Sequence, residues 1–410
     1  MMRVPTFGQF QNEADLIAQQ YAQMGKLEQQ ASSGKKLLSP SDDPVLASQL
    51  QSIQDYINSL NTYTDNGALA GARNKLFDTA NTQLVSTLSD IQTQLNKARN
   101  GTTNASDRAD IAKTLQSDLT KLLATANTTD QNGQYIFSGS NASSPSYVLV
   151  GNSYQYQGGP NVTNIDIGPN ATALYNDIGS QVFGNIPTGN GTFTVSASGS
   201  NTGTGILSNG TVVNSTSYVP DTYTISIVTN NEGVPGIKVV GASSGQVIPA
   251  SGGDPPAYNP GTSGQDITFN GLTVNLSTGA SLGDSFTVQP STKQNAFDTI
   301  QNAINTMQNS SLSTTSFQQQ MSAVSASVAQ ILNRVTDYQA QSGSREQNTN
   351  TQLTANQQTL SDQTITQSNL GNADITQVFS SLMQQSIALQ ATQESYLKIE
   401  QTLTTLLQNA

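Results

Sequence analysis

Apolar residues recur every three or four positions over long stretches near the C-terminus of the chain. One such run alternates steps of four and three, and its members are Phe317, Met321, Val324, Val328, Ile331, Val335 and Tyr338. A second run reaches almost to the last residue and comprises Ile375, Val378, Leu382, Gln385, Leu389, Thr392, Tyr396, Ile399, Leu403 and Leu406. This spacing is typical of the seam along which one helix packs against another, so both runs predict long helices.

Shorter runs with the same spacing lie near the N-terminus. They are Phe10, Ala14, Ile17, Tyr21 and Met24; then Leu46, Leu50, Ile53, Ile57 and Leu60; then Leu84, Leu88, Ile91, Leu95 and Ala98. No proline interrupts residues 45–144 or 291–410, so both outer regions can form continuous helices. We expect the first and last helices to pair, which brings the two chain ends together. The alternative is an ordinary helical bundle whose terminal helices fold back on its core.

The middle of the chain has a different pattern. Most of the 33 Gly and 14 Pro lie between residues 139 and 290. Apolar residues alternate with polar ones at 223–227 and again after a turn at 230–236, which predicts a β-hairpin. A second hairpin is predicted around Asn270-Gly271, the residue pair that a type I′ turn prefers, and a last strand at Phe286 and Val288.

Together these patterns predict an α+β multidomain fold. Long helices from the N- and C-terminal segments form a coiled coil or bundle, and an antiparallel β-rich domain with its own small core is inserted between them. The terminal coiled-coil domain is expected to comprise an N-terminal helix in residues 1–40 and a C-terminal helix in 371–410. The helical domain is expected at 41–139 and 292–370, and the β-rich domain at 140–291.

Composition argues against most kinds of chemistry. The 410 residues include no His, Cys or Trp, and only 10% are charged. Triads that need His, thiol nucleophiles and His or Cys metal sites are therefore excluded, and we expect no catalytic, cofactor-binding or metal-binding residues. The net charge of −11 opposes binding to nucleic acid or to anionic membranes. We also expect no general secretory signal and no membrane-spanning segment.

A few polar or aromatic residues could still suggest a site. Asp42 and Asp43 could bind a cation, but Asp43 as the N-cap of a helix with Pro44 at its first position explains them better. Ser106 or Asp107 is expected to cap the next helix, which accounts for the Asp107-Arg108 pair. Tyrosines at 147, 154 and 156 could stack on sugars, although packing between strands is the more common role of aromatic residues in sheets.

Several segments resemble a known family. Residues 31–36 (ASSGKK) and 40–44 (PSDDP) are similar to the N-terminal signature shared by flagellins and hook-associated proteins. The segments 100–102, 107–108 and 133–139 (GQYIFSG) resemble hook-filament junction proteins, the hook-associated protein 3 family of the bacterial flagellum. The middle of the chain agrees at 156–158, 179–183 and 283–291, and Ala373-Asp374-Ile375 opens a segment like the family's C-terminal helix.

The resemblance implies an extracellular structural protein of the flagellum, exported by the flagellar type III apparatus. The implied partners are the first hook-associated protein, flagellin, an export chaperone and further copies of the chain in a helical layer. We expect the terminal helices to order when subunits assemble, along a seam of Ile17, Tyr21, Met24, Ile375, Val378, Leu382, Leu389, Tyr396, Ile399 and Leu403. The alternatives are a flagellin filament subunit, a coiled-coil adhesin whose β domain binds glycans, and, least favoured, an enzyme.

Overall fold

The computed structural model describes residues 6–100, 103–250 and 252–408, which form long helices and short antiparallel strands. The helices are α1 Thr6–Ser33, α2 Pro44–Ala98, α3 Ala105–Ala126, α4 Gly179–Val182, α5 Ala296–Gln308, α6 Thr314–Gly371 and α7 Ile375–Gln408. The first strands are β1 Tyr147–Val150, β2 Ser153–Tyr156, β3 Thr163–Gly168, β4 Ala171–Asn176, β5 Ile186–Pro187, β6 Phe193–Ala197 and β7 Thr211–Val212. The remaining strands are β8 Tyr223–Thr229, β9 Pro235–Gly241, β10 Gly245–Ile248, β11 Gln265–Phe269, β12 Leu272–Leu276, β13 Ser285–Pro290 and β14 Lys293–Gln294.

The chain divides into two units. The terminal unit contains the residues up to Asp65 together with those from Gln352 onward, and the central unit is Asn66–Thr351. Helix α2 and helix α6 each contribute residues to both units, whereas every strand formed by the described residues belongs to the central unit. The predicted fold class, long terminal helices with an inserted antiparallel β-rich region, is confirmed.

Two helix starts show how the local sequence sets these boundaries. Helix α2 begins at Pro44, and the Asp43 carboxylate accepts from the backbone N–H groups of Val45 and Leu46, so the predicted cap is confirmed. Helix α3 is capped by Asn104 instead of Ser106 or Asp107. Asp107 is the third helical residue and accepts from the backbone N–H of Asn104, which completes a capping box.

The helices of the central unit share one apolar core. The predicted runs from Leu84 to Ala98 and from Phe317 to Tyr338 lie in this core, and most of their members are fully buried. The guanidinium of Arg108 stacks over the ring of Phe317, so this cation covers the core rather than forming a site.

A β-sandwich forms a second core in the central unit. Its five-stranded antiparallel sheet has the order β10-β9-β8-β13-β6, and its three-stranded sheet has the order β11-β12-β7. Buried residues of both sheets meet, and the rings of Tyr223 and Phe269 pack edge to face with centroids 4.9 Å apart. Both predicted hairpins, β8–β9 and β11–β12, are confirmed. Asn270 and Gly271 have the positive φ angles that a type I′ turn requires.

The segment from Tyr147 to Pro187 packs with the helices instead of the sandwich. Tyr147 and Phe183 belong to the helical core and contact the ring of Phe297 on α5, with centroids 4.7 and 5.5 Å away. The Gly- and Pro-rich middle of the chain therefore contributes to two different cores.

Candidate assembly site on the terminal helices

Helices α1 and α7 of the terminal unit pack side by side in antiparallel directions. The Gln20 side chain donates to the hydroxyl of Thr392 at 3.3 Å, and the Gln393 side chain donates to the Tyr21 hydroxyl at 2.9 Å. At the other end of the pair, the backbone N–H of Ala373 donates to the carbonyl of Gly34 at 2.9 Å. In this register Met24 lies at the level of Leu389, and Ile17 lies at the level of Tyr396.

Local sequence sets the ends of both helices. Gly34 follows α1 with a φ of 66°, a left-handed conformation that ends helices and that glycine adopts without strain. Asp374 caps α7, because its carboxylate accepts from the backbone N–H groups of Thr376 and Gln377. The backbone N–H of Lys36 also donates to the carbonyl of Gly371, so the connections at this end of the pair are hydrogen-bonded to each other.

The predicted seam residues fall into three groups by burial. Val378 and Leu389 are buried, and the half-buried members are Ile17, Met24, Leu382, Tyr396 and Ile399. Tyr21 is half exposed, and Ile375 is exposed as the first residue of α7. The side chain of Leu403 lies outside the described residues. Because α1 and α7 pair within one chain, the seam is largely occupied by the chain itself.

A second apolar row on α7 was missed by the heptad pattern. Its members are exposed and comprise Phe379, Met383, Ile387 and Leu397, with 70% of Met383 and 66% of Ile387 accessible to solvent. Phe379, Met383 and Leu397 each follow a seam residue by one position, which places them about 100° further round the helix. That offset was visible in the sequence. No charged residue occurs between Ile375 and Gln393, so the part of this row from Phe379 to Ile387 is an uncharged apolar face.

An ion pair links α1 to the connection before α2. The Lys26 ammonium donates to the Asp42 carboxylate at 2.8 Å, and the other carboxylate oxygen accepts from the backbone N–H groups of Leu38 and Ser39. The hydrogen bond from Lys26 and those from the backbone lower the pKa of Asp42. Asp42 therefore pairs with Lys26, an interaction that the helix-cap interpretation did not predict.

Across residues 6–100, 103–250 and 252–408, no group of three acidic side chains is placed to hold a metal ion. Within the same ranges no helix combines the length and apolarity needed to cross a bilayer. What the surface offers to a partner is apolar area on helices, which suits packing against further helices.

The tyrosines that could have formed a sugar platform are part of the central unit's core. Tyr147 and Tyr154 are buried and lie against Phe297, so the packing interpretation is confirmed. Burial raises the pKa of the Tyr156 hydroxyl to about 12, and this hydroxyl donates to the backbone carbonyls of Phe137 and Gly159.

Comparison with known sequences connects this chain to flagellar proteins. Residues 6–142 match the bacterial flagellin N-terminal helical region. The chain is 30% identical over 186 residues to flagellar hook-associated protein 3 of Salmonella typhimurium, covering 45% of this chain and 58% of that protein. It is 34% identical over 138 residues to the protein of the same name from Escherichia coli, covering 34% and 44% of the two chains. The matches thus span about half the length of these curated relatives.

A solved structure extends the similarity. The flagellar hook-associated protein 3 of Legionella pneumophila superimposes with a TM-score of 0.74 at 30% identity, covering 78% of this chain and 98% of that chain.

Proposed function

The chain belongs to the flagellar hook-associated protein 3 family, and from this premise we propose that it is a junction subunit linking the flagellar hook to the flagellin filament. As a member of this family it is an extracellular component of the bacterial flagellum, and we propose that its role there is structural. The observation that carries the proposal is the exposed apolar row of α7 on a helix pair that one chain leaves partly uncovered.

The proposed partners follow from a position between hook and filament. The first hook-associated protein lies on the hook side, flagellin on the filament side, and further copies of this chain complete a helical layer. A dedicated chaperone and the flagellar type III apparatus deliver the subunit. The uncharged row on α7 supports this view, since such a row requires an apolar partner and repels neither a second copy nor a related helix.

In this proposal the terminal pair becomes fully ordered on assembly. Within one chain, α1 covers one side of α7 and leaves residues such as Met383 and Ile387 in water. Packing of neighbouring pairs buries the row and adds apolar stabilisation of roughly 25 cal/mol per Å². The pair is therefore expected to show lower hydrogen-exchange protection in a free subunit than in the assembled layer.

The test substitutes two residues of the exposed row and leaves the seam residues unchanged. Met383→Ser with Ile387→Ser removes two exposed side chains, so the free subunit should fold normally while the cells lose filaments and swim poorly. The matched control is Gln384→Ser with Gln390→Ser, which alters exposed polar positions on the same helix. Normal filament retention in the Met383/Ile387 variant would show that the row is not the assembly surface.

A flagellin filament subunit is the nearest alternative, because the matched N-terminal region is shared with flagellins. Copy number separates the two functions. A junction subunit should be a minor component of sheared filaments and flagellin the major one, as measured by quantitative mass spectrometry. If this chain is the major component, the junction assignment fails and the flagellin assignment replaces it.

The adhesin alternative has no support from the aromatic residues considered for it. Tyr147 and Tyr154 are buried, so their faces are not available to stack on a sugar ring.

A further inference from the structure

The β-sandwich and the helices of the central unit have separate apolar cores. The sandwich core contains residues such as Phe193, Leu207 and Val288, and the helical core contains residues such as Ile186 and Phe297. Among the described residues, none belongs to both clusters. The connection between the two bodies therefore has to rest on other interactions.

The covalent connection is a narrow neck of two adjacent chain segments. The chain enters the sandwich through residues 188–192 and leaves it through Ser291 and Thr292. The backbone N–H of Thr188 donates to the carbonyl of Thr292, and the backbone N–H of Ser291 donates to the carbonyl of Thr192, both at 2.9 Å. These bonds hold the two segments side by side, so along the chain the sandwich is joined to the helices at one place.

A set of polar contacts fastens the sandwich to α6, and we call the Gln319 contact the latch. The backbone N–H of Leu207 donates to Oε1 of Gln319 at 2.8 Å, and Nε2 of Gln319 donates back to the Leu207 carbonyl at 2.9 Å. Both residues are buried. One turn further along α6, the Asn209 side chain donates to the carbonyl of Ser322 at 3.0 Å. The backbone N–H of Gly189 donates to the hydroxyl of Ser327 at 2.9 Å.

An open cleft borders the neck. It has a volume of about 210 Å³ and is lined mainly by hydroxyl and amide side chains, among them Thr188, Thr194, Gln289, Thr292, Asn302 and Ser327. Oδ1 of Asn209 is buried without a hydrogen-bond partner. A hydroxyl-lined cleft of this kind is accessible to water, and an unpaired acceptor gains a partner when water reaches it.

From this geometry we propose that the sandwich is a hinged module that turns on its neck when the Gln319 latch opens. Opening exchanges buried hydrogen bonds for bonds to water, which costs far less than exposing an apolar core, and both cores stay intact. Contact with a neighbouring protein can then set the orientation of the sandwich without unfolding either body. The proposal rests on the central unit alone and does not depend on the proposed junction function.

Hydrogen exchange at two consecutive amides provides the first test. The N–H of Leu207 is bonded to the latch, whereas the N–H of Ser208 is bonded to the carbonyl of Asn275 inside the sandwich at 2.8 Å. Hinge opening exposes only Leu207, so its amide should exchange about tenfold faster than that of Ser208 after correction for intrinsic rates. Equal protection would mean that this segment opens only with the sandwich itself, and it would overturn the proposal.

A latch variant provides the second test. Gln319→Leu keeps a similar volume but removes both bonds to Leu207, and Gln320→Leu is the control at an exposed neighbour. Because the chain has no Cys, spin labels can be placed on Glu232→Cys in the sandwich and Lys113→Cys on α3. The distance distribution should broaden in the Gln319→Leu protein and stay unchanged in the control. An unchanged distribution in both would show that the latch does not hold the sandwich.

Discussion

The two adjacent carboxylates before α2 have different partners, and the capping role of Asp43 can be tested by substitution. Asp43→Ala removes the acceptor of the Val45 and Leu46 amides, so it should lower the free energy of unfolding by about 1 kcal/mol. Asp65→Ala, at an exposed position within the same helix, is the control and should change stability by less than about 0.5 kcal/mol. Urea unfolding monitored by circular dichroism measures both, and equal effects would argue against a capping role.

Asp221 makes the sandwich sensitive to acid. Its carboxylate accepts from the backbone N–H and the hydroxyl of Ser244 and from the backbone N–H groups of Ser243 and Thr222, and these bonds lower its pKa to about 2. A lowered folded-state pKa stabilises the fold above the ordinary value of 3.8, and this stabilisation is lost as the pH falls through about 2.

Asp221→Asn should therefore flatten the pH dependence of sandwich stability between about pH 4 and pH 2. Near-ultraviolet circular dichroism reports on the sandwich through the buried pair of Tyr223 and Phe269. Glu232→Gln, at an exposed turn of the same sandwich, is the control and should keep the wild-type profile. If the Asp221→Asn profile matches that of the wild type, other carboxylates determine acid stability.

Residue-level predictions succeeded where the cause lies within a few positions. The Asn270-Gly271 turn and the Asp43 cap depend on neighbouring residues only. The cap of α3 was assigned to the wrong residue because Asn104 and Asp107 both suit a helix start, and the sequence does not say which one has extended backbone. Gln319 and its partner Leu207 are 112 residues apart, so no local pattern could connect them.

A buried polar cluster shows the same limit for charged residues. The Asp177 carboxylate accepts from the hydroxyl of Tyr338 and from the guanidinium of Arg345, which lie 161 and 168 residues away. In the sequence Asp177 was only one of several scattered carboxylates. Its partners come from a helix whose seam was predicted, yet the sequence pattern did not indicate which strand or loop that helix contacts.

At the level of elements, α7 presents two apolar rows. Substitution in one row should destabilise the free helix pair, and substitution in the other should weaken assembly. Leu389 is only 6% exposed and packs toward α1, so Leu389→Ala should destabilise the helix pair of a free subunit by about 2–5 kcal/mol. Ile387 is largely exposed, so Ile387→Ala should leave the free pair nearly unchanged and weaken assembly instead.

Hydrogen exchange of α1 and α7 in free subunits separates the two effects. Protection of α1 should fall in Leu389→Ala and stay at the wild-type level in Ile387→Ala. The reverse order would mean that the seam between α1 and α7 has been assigned to the wrong side of α7. The heptad spacing predicted this helix and its seam with α1. It did not predict the exposed row, because a heptad pattern selects residues on one side of a helix only.

At the scale of the whole molecule, composition divided the chain into outer and middle regions but could not divide the middle itself. The residues on both sides of Pro187 are rich in Gly and carry few charges, yet those before it join the helical core and those after it form the sandwich. The difference lies in aromatic contacts such as Tyr147 with Phe297, which are remote in sequence. Long-range packing of this kind decides which core a short strand joins.

The neck suggests where the sandwich can be removed. Joining Thr192 to Ser291 with a short Gly/Ser linker deletes 193–290 at two positions that already share a backbone hydrogen bond. The side chains exposed by this deletion include Gln319 and Ser322, which are polar, so the helical core should keep its unfolding temperature within a few degrees. If the sandwich is an outward and dispensable part of the subunit, cells carrying this deletion should retain filaments.

Deletion of residues 196–264 is the informative comparison. It removes β7 to β10 and leaves Phe286, Val288 and Ile267 without the strands that cover them, so this variant should aggregate even though it removes fewer residues. Calorimetry of the two proteins and counts of attached filaments measure the difference. If the 193–290 deletion protein folds normally but the cells lose filaments, the sandwich takes part in assembly. If the deletion protein no longer shows an unfolding transition of the helical core, the two bodies stabilise each other.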